Sequence, residues 1–146
     1  MHSKSTKLVI GALFTVLGAL PFTAQARTVG ADVTFRPTCL SETFGGIYNG
    51  CGAAERVNFN APIDSTGTYY AATISGQAAS AANNVTCWSH GVSENGGTFY
   101  QSNTVSLPYY GPSADISLSS VYVPSNGIFN VYCTVNAGGT IHNFRY

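Results

Sequence analysis

Phe129-Asn130-Val131-Tyr132-Cys133-Thr134-Val135 is the stretch that decides the fold. Phe129, Val131, Cys133 and Val135 occupy alternate positions, and Asn130, Tyr132 and Thr134 lie between them. A period of two is that of a strand with one face buried and the other facing out. Cys133 therefore belongs to the apolar, inward set.

The same alternation recurs along the chain. Val29, Ala31, Val33 and Phe35 alternate before Arg36-Pro37, and Val57, Phe59 and Ala61 alternate before Pro62. Tyr70, Ala72 and Ile74 form a third run, with Tyr69, Ala71 and Thr73 on the other face. Val85 and Cys87 lead a fourth, Phe99 to Leu107 make a longer fifth, and Ile116 and Leu118 mark a sixth. A last strand runs from Thr140 to the carboxyl end. Asn49-Gly50, Asn95-Gly96 and Asn126-Gly127 fall between such runs and read as turns, because Asn and Gly tolerate positive φ. A helical turn is expected only within the Ala-rich stretch Gln77 to Ala82. About eight short strands separated by turn residues predict an all-β fold, a single antiparallel β-sandwich.

The amino end reads differently. His2, Lys4 and Lys7 precede an apolar run from Leu8 to Leu20, Pro21 breaks it, and Ala24-Gln25-Ala26 offers small residues for cleavage. These are the parts of a secretory signal peptide over residues 1–26. The run is too short to span the ~30 Å of a bilayer core. One β-sandwich domain, residues 27–146, is expected to follow, secreted or periplasmic and without membrane insertion.

Past that point both lysines are gone, and four arginines (Arg27, Arg36, Arg56, Arg145) face six acids (Asp32, Glu42, Glu55, Asp64, Glu94, Asp115). So little positive charge gives no footprint for a phosphate backbone, which argues against nucleic acid as a partner. The wealth of Tyr, Phe, Val, Ile and Thr predicts a folded chain, not a disordered one.

Cys39, Cys51, Cys87 and Cys133 make an even count in an oxidising compartment, and two disulfides are expected. Zinc is disfavoured because no C-x-x-C or paired-His spacing occurs. Cys87 and Cys133 both share faces with buried residues, so they are paired here, across neighbouring strands or between sheets. Cys39 and Cys51 flank a segment with Gly45, Gly46 and Gly50 that reads as a loop. By loop-closure entropy the 87–133 bridge is worth roughly 4 kcal/mol and the 39–51 bridge about 3 kcal/mol.

Candidates for chemistry are few. His90 and His142 are the histidines past the leader, with no metal-ligand spacing and no serine-hydrolase or zinc-protease motif. A small secreted hydrolase would need His90 or His142 beside Asp115 or Glu94, or a pair of acids at glycosidase spacing. The scattered acids read as surface charges, and no enzyme activity, metal or cofactor is expected. Binding is the better expectation. Trp88 follows inward Cys87, so it should point outward with His90 on the same side, and Tyr109-Tyr110 lies in a loop. Trp88, His90, Tyr109 and Tyr110 are the candidate ligand-binding residues, offering ring faces to a glycan or cell-surface ligand. A monomer is expected.

Arg36-Pro37-Thr38-Cys39, Gly46-Ile47-Tyr48-Asn49, Val57 to Pro62, Cys87 and Tyr132-Cys133-Thr134-Val135 before Ile141 to Tyr146 form a pattern. It resembles a loose group of short, secreted bacterial proteins of uncharacterised role, which implies a disulfide-bonded, sandwich-like fold and no activity. The chain departs from that group at Asn60, where a cysteine is usual, and at Asn136, where a proline is usual. It is also similar in size and character to chaperone–usher pilins. That likeness would make Arg27 to Phe35 a donor strand and the protein a structural subunit of a pilus-like fibre. The expected penultimate tyrosine is replaced by Arg145, with Tyr146 last.

Overall fold

The computed structural model describes residues 28–30, 39–43 and 46–146. The leader expected over 1–26 and most of the strand expected from Val29 to Phe35 lie outside them. The described residues form thirteen strands and one 3-10 turn: β1 Thr28–Gly30, β2 Leu40–Thr43, β3 Gly46–Asn49, β4 Glu55–Ala61, β5 Thr68–Tyr70, β6 Thr73–Gln77, the turn Ala81–Asn83, β7 Val85–Val92, β8 Phe99–Gln101, β9 Val105–Ser106, β10 Ala114–Ser117, β11 Val121–Val123, β12 Ile128–Val135 and β13 Thr140–Arg145.

β12 is the deciding stretch of the sequence, and it lies inside a sheet ordered β4-β12-β7-β8, with β9 also on the edge of β7. Its ladder to β4 runs from Phe129↔Ala61 to Val135↔Glu55, and its ladder to β7 from Ile128↔Val92 to Val135↔Val85, all antiparallel. A second sheet is ordered β10-β6-β13-β3-β2, with β1 against β13, and β5 and β11 form a separate ribbon. The two large sheets pack face to face. Phe59 of β4 meets Phe144 of β13 with ring centroids 5.0 Å apart. Val57, Val85, Phe129, Val131 and Val135 from one sheet and Ile47, Ile74, Ile116, Ile141 and Phe144 from the other are all fully buried. The alternation read from the sequence is therefore the alternation between core and outer face.

Both disulfides join the residues expected, Cys39 to Cys51 and Cys87 to Cys133. The second is a bridge between neighbours in one sheet, not between sheets: Cys133 stands directly opposite Cys87, with Cα atoms 4.1 Å apart. Such closeness belongs to antiparallel pairs that do not exchange backbone hydrogen bonds.

Several strand expectations are corrected. The run from Tyr70 to Ile74 is not one strand: β5 joins the ribbon while β6 enters the large sheet, and the break is sealed by Leu118 N–H donating to Ala72 O at 2.9 Å. Phe99 to Leu107 also divides, into β8 and β9. At the break Ser102 N–H donates to Ser89 O, while Ser102 Oγ, in place of a backbone carbonyl, accepts from Ser89 N–H at 2.8 Å. The Cys39–Cys51 segment is a hairpin of β2 and β3, not a loop, and the disulfide joins its open ends. Its glycines obscured the alternation, while pairing of Ile47 with Ile141 places it in the sheet.

Asn49-Gly50 is not a turn either. Asn49 ends β3, is fully buried, and Asn126 is the one non-glycine residue with positive φ among the described residues. Asn49 Nδ2 donates to Ala53 O at 2.9 Å and Val135 O at 2.7 Å, and its Oδ1 accepts from Cys51 N–H at 2.8 Å. The side chain thus ties the hairpin to the end of β12. The helical turn comes slightly later than expected, at Ala81–Asn83. Of the donor segment expected over Arg27 to Phe35, the described part is β1, which pairs with β13 of its own chain from Thr28↔Arg145 to Gly30↔Asn143.

Candidate functional site

Alternation along β7 and β12 puts Thr86, Trp88, His90 and Val92 on the outer face beside Ile128, Asn130, Tyr132 and Thr134. Trp88 and His90 therefore share a face, as the sequence predicts. Tyr132 stands between them: its ring stacks on Trp88 at 5.9 Å and 15° and meets His90 at 5.0 Å. His90 in turn meets Phe99 of β8 at 5.6 Å, and the Arg56 guanidinium lies 5.4 Å from the Trp88 ring centre. The result is a diagonal row: Arg56, Trp88, Tyr132, His90, Phe99. Neighbouring rings engage one another through dispersion, quadrupole and cation–π contacts. The Trp88 ring is half-buried and already partnered, so it is a poorer open platform than its outward position alone suggests.

His90 also fixes a polar group. Its Nε2 lies 2.9 Å from Oε1 of Gln101, its cross-strand partner in β8. An amide oxygen only accepts, so this contact requires the proton on Nε2. The Gln101 amide nitrogen is left as a donor on an exposed edge strand.

Gln101 reaches the wall of a cleft that the sequence does not announce. Tyr69, Tyr100, Gln101, Ser120, Val121 and Tyr122 enclose an open space of about 370 Å³. Tyr122 meets Tyr69 at 5.3 Å and stands perpendicular to Tyr100 at 5.4 Å. Tyr69 is 69% exposed and Tyr100 44%. The cleft exists because the β5–β11 ribbon crosses beneath β7 at Gly91. A side chain at Gly91 would run into the Tyr122 carbonyl, so glycine is what lets β11 come close enough for Tyr122 to stand beside Tyr100. Alternation could place Tyr69 and Tyr100 relative to their own strands, but not beside one another, since β5, β8 and β11 are far apart in sequence.

Tyr109 and Tyr110 are exposed, as expected of a loop, but belong to another part of the surface. Their loop is held by Gly111 N–H donating to Ala78 O at 2.8 Å and by Gln77 Nε2 donating to Gly111 O at 2.7 Å. Tyr109 OH donates to Ser113 O at 3.4 Å. No ring contact joins either tyrosine to the Trp88–His90 row among the described residues.

Asp115 is bound to Arg145 at 2.7 Å rather than to a histidine. Among the described residues no three His, Cys, Asp or Glu side chains gather where a metal could bind. Asn130, on the outer face between Asn60 and His90, is 5% exposed, and its Oδ1 has no hydrogen-bond partner among the described residues. An orphaned buried acceptor costs about 1–3 kcal/mol.

Neither a family model, nor a curated protein, nor a solved structure matches this chain.

Proposed function

We propose that this protein is an exported, non-catalytic binding protein for a neutral glycan, and that the cleft of Tyr69, Tyr100 and Tyr122 receives a sugar ring. The observation that carries this reading is the cleft itself: three phenol rings about an open space, two of them strongly exposed, with Gln101 and Ser120 in the wall. A pyranose has an apolar C–H face and a rim of hydroxyls. Tyrosine offers the matching pair, a flat apolar body and a polar tip. The size lies within the range of small-ligand sites. The lining has no Asp, Glu, Lys, Arg or His, which favours an uncharged ligand over a phosphate or uronate.

In this reading Trp88, Tyr132 and His90 are positioning residues. They stiffen the outer face and hold Gln101 by its oxygen, so that its amide N–H groups are set for a ligand hydroxyl. Export is supported by the leader pattern and by two disulfides, which persist in oxidising compartments.

The test is a thermal-shift and calorimetric screen of the oxidised protein against neutral oligosaccharides, with uronate-containing ones as comparison. A ligand at a hundred times its Kd adds about 2.7 kcal/mol to stability. Tyr69→Ala and Tyr100→Ala should each weaken binding by roughly tenfold, about the worth of one aromatic contact. Binding that prefers acidic glycans, or that is indifferent to both tyrosines, overturns the reading.

A further inference from the structure

The Asn-Gly pairs that the sequence marks as turns have three different fates, and one is set up for chemistry. In such a pair the glycine nitrogen can attack the asparagine side-chain carbonyl carbon. A C–N bond forms, the peptide N–H proton is lost, and the side-chain amide leaves as ammonia. Water then opens the cyclic imide at one carbonyl to aspartate, or at the other to isoaspartate, which adds a methylene to the backbone. We propose that Asn95-Gly96 is a site of this self-modification, and that the isoaspartyl product displaces β8.

Attack on Asn95 Cγ would put negative charge on Oδ1. That oxygen already accepts from Ser93 Oγ at 2.9 Å and from Gly97 N–H at 2.9 Å. Two donors aimed at a developing oxyanion lower the barrier to its formation. Asn95, Gly96 and Gly97 are all exposed, and an open polar hollow of about 430 Å³ bounded by Ser93, Glu94, Asn95 and Ser125 admits the hydrolytic water. Gly96 has no Cβ to shield its nitrogen, and its φ of 69° is one that glycine adopts freely. Its N–H donates to Ser93 O at 2.9 Å and must be freed first, a small cost in an exposed turn where water replaces the bond.

The other pairs lack this arrangement. Asn49 is fully buried, and its leaving nitrogen is held by Ala53 O and Val135 O. Asn126 is exposed, but the nitrogen that would attack belongs to buried Gly127 and is bonded to Pro124 O at 2.9 Å. No hydrogen bond to Asn126 Oδ1 is formed among the described residues.

The consequence follows from position. Ser93 N–H donates to Thr98 O at 2.9 Å and Thr98 N–H to Ser93 Oγ at 3.0 Å, closing the turn one residue before β8. An added methylene inside it strains the Val92↔Phe99 and His90↔Gln101 register. The modification stands independently of the glycan reading, and only a loss of sugar affinity would rest on it.

The experiment is a peptide map of the full oxidised protein after incubation in mildly alkaline buffer, scoring aspartate and isoaspartate at positions 49, 95 and 126. Asn95 should convert about tenfold faster than Asn126, a difference of roughly 1.4 kcal/mol in barrier, with Asn49 unmodified. Ser93→Ala should slow Asn95 several-fold and Ser93→Thr should restore it. In the reduced, urea-unfolded chain the three rates should converge, whatever the variants do to folding. Asn126 keeping pace in the folded protein, or Ser93→Ala leaving the rate unchanged or raising it, overturns the proposal. Amide exchange at Tyr100 and Gln101 should rise in the isoaspartyl fraction, and unchanged exchange there refutes the displacement of β8.

Discussion

Replacing Asn49 by alanine should be among the most damaging single polar changes in this protein. The side chain is fully buried and makes three hydrogen bonds, two to backbone carbonyls and one from a backbone N–H. Truncation strands the Cys51 N–H in the interior and Ala53 O in a partly buried position, and it takes one donor from Val135 O, which also faces Glu55 in the β4–β12 ladder. A buried group left without its partner costs about 1–3 kcal/mol. Allowing the partly buried carbonyl half weight, the loss comes to roughly 1.5–4.5 kcal/mol, and the small cavity adds to it. Folded domains are stable by only about 5–15 kcal/mol, so the variant should approach the folding threshold. The assay is urea unfolding of the oxidised protein, with Asn60→Ala as an exposed comparison on β4, which should change stability by less than about 0.5 kcal/mol. Asn49→Asp sharpens the test. It keeps the acceptor for Cys51 N–H but turns both donations into a carboxylate facing carbonyls, and it should be at least as harmful. A loss below about 1 kcal/mol for Asn49→Ala would refute the view that this residue anchors the hairpin to β12.

Gly91→Ala should destabilise by about 1–3 kcal/mol or more, because the methyl group drives into the Tyr122 carbonyl, and thermal unfolding measures it. Asn130→Val should hold or raise stability by up to about 1–2 kcal/mol by removing an orphaned buried acceptor; a clear loss in urea would mean that the amide has a partner. Replacing both Cys87 and Cys133 by alanine should cost roughly 4 kcal/mol and replacing Cys39 and Cys51 about 3 kcal/mol, by the loop each closes, read as shifts in urea midpoint. Asp115→Asn should change stability by less than about 1 kcal/mol, since the Arg145 pair is solvent-exposed, and a double-mutant cycle isolates the term.

The sequence by itself determined the class of fold and the facing of the central strands. Each is local: strand side chains alternate with a period of two, so Cys133 shares a face with Val131, and Trp88 opposes Cys87, wherever the sheet lies. It could not foresee that Tyr70 and Ile74 enter different sheets. That break depends on Leu118 bonding to Ala72 across the fold. The glycines of the β2–β3 hairpin likewise look like a loop until β13 supplies a pairing edge. Asn49 read as a turn residue because its preference is local, while its role comes from Val135, distant in the chain. The candidate site divides in the same way. The outward aim of Trp88 and His90 was legible. The cleft was not, because Tyr69, Tyr100 and Tyr122 lie on three separate strands, and only the close approach of β11 at Gly91 brings them together. Facing is a property of each strand alone. Proximity between strands is decided by the packing of the sheets, and that packing is what assembles the tyrosine cleft.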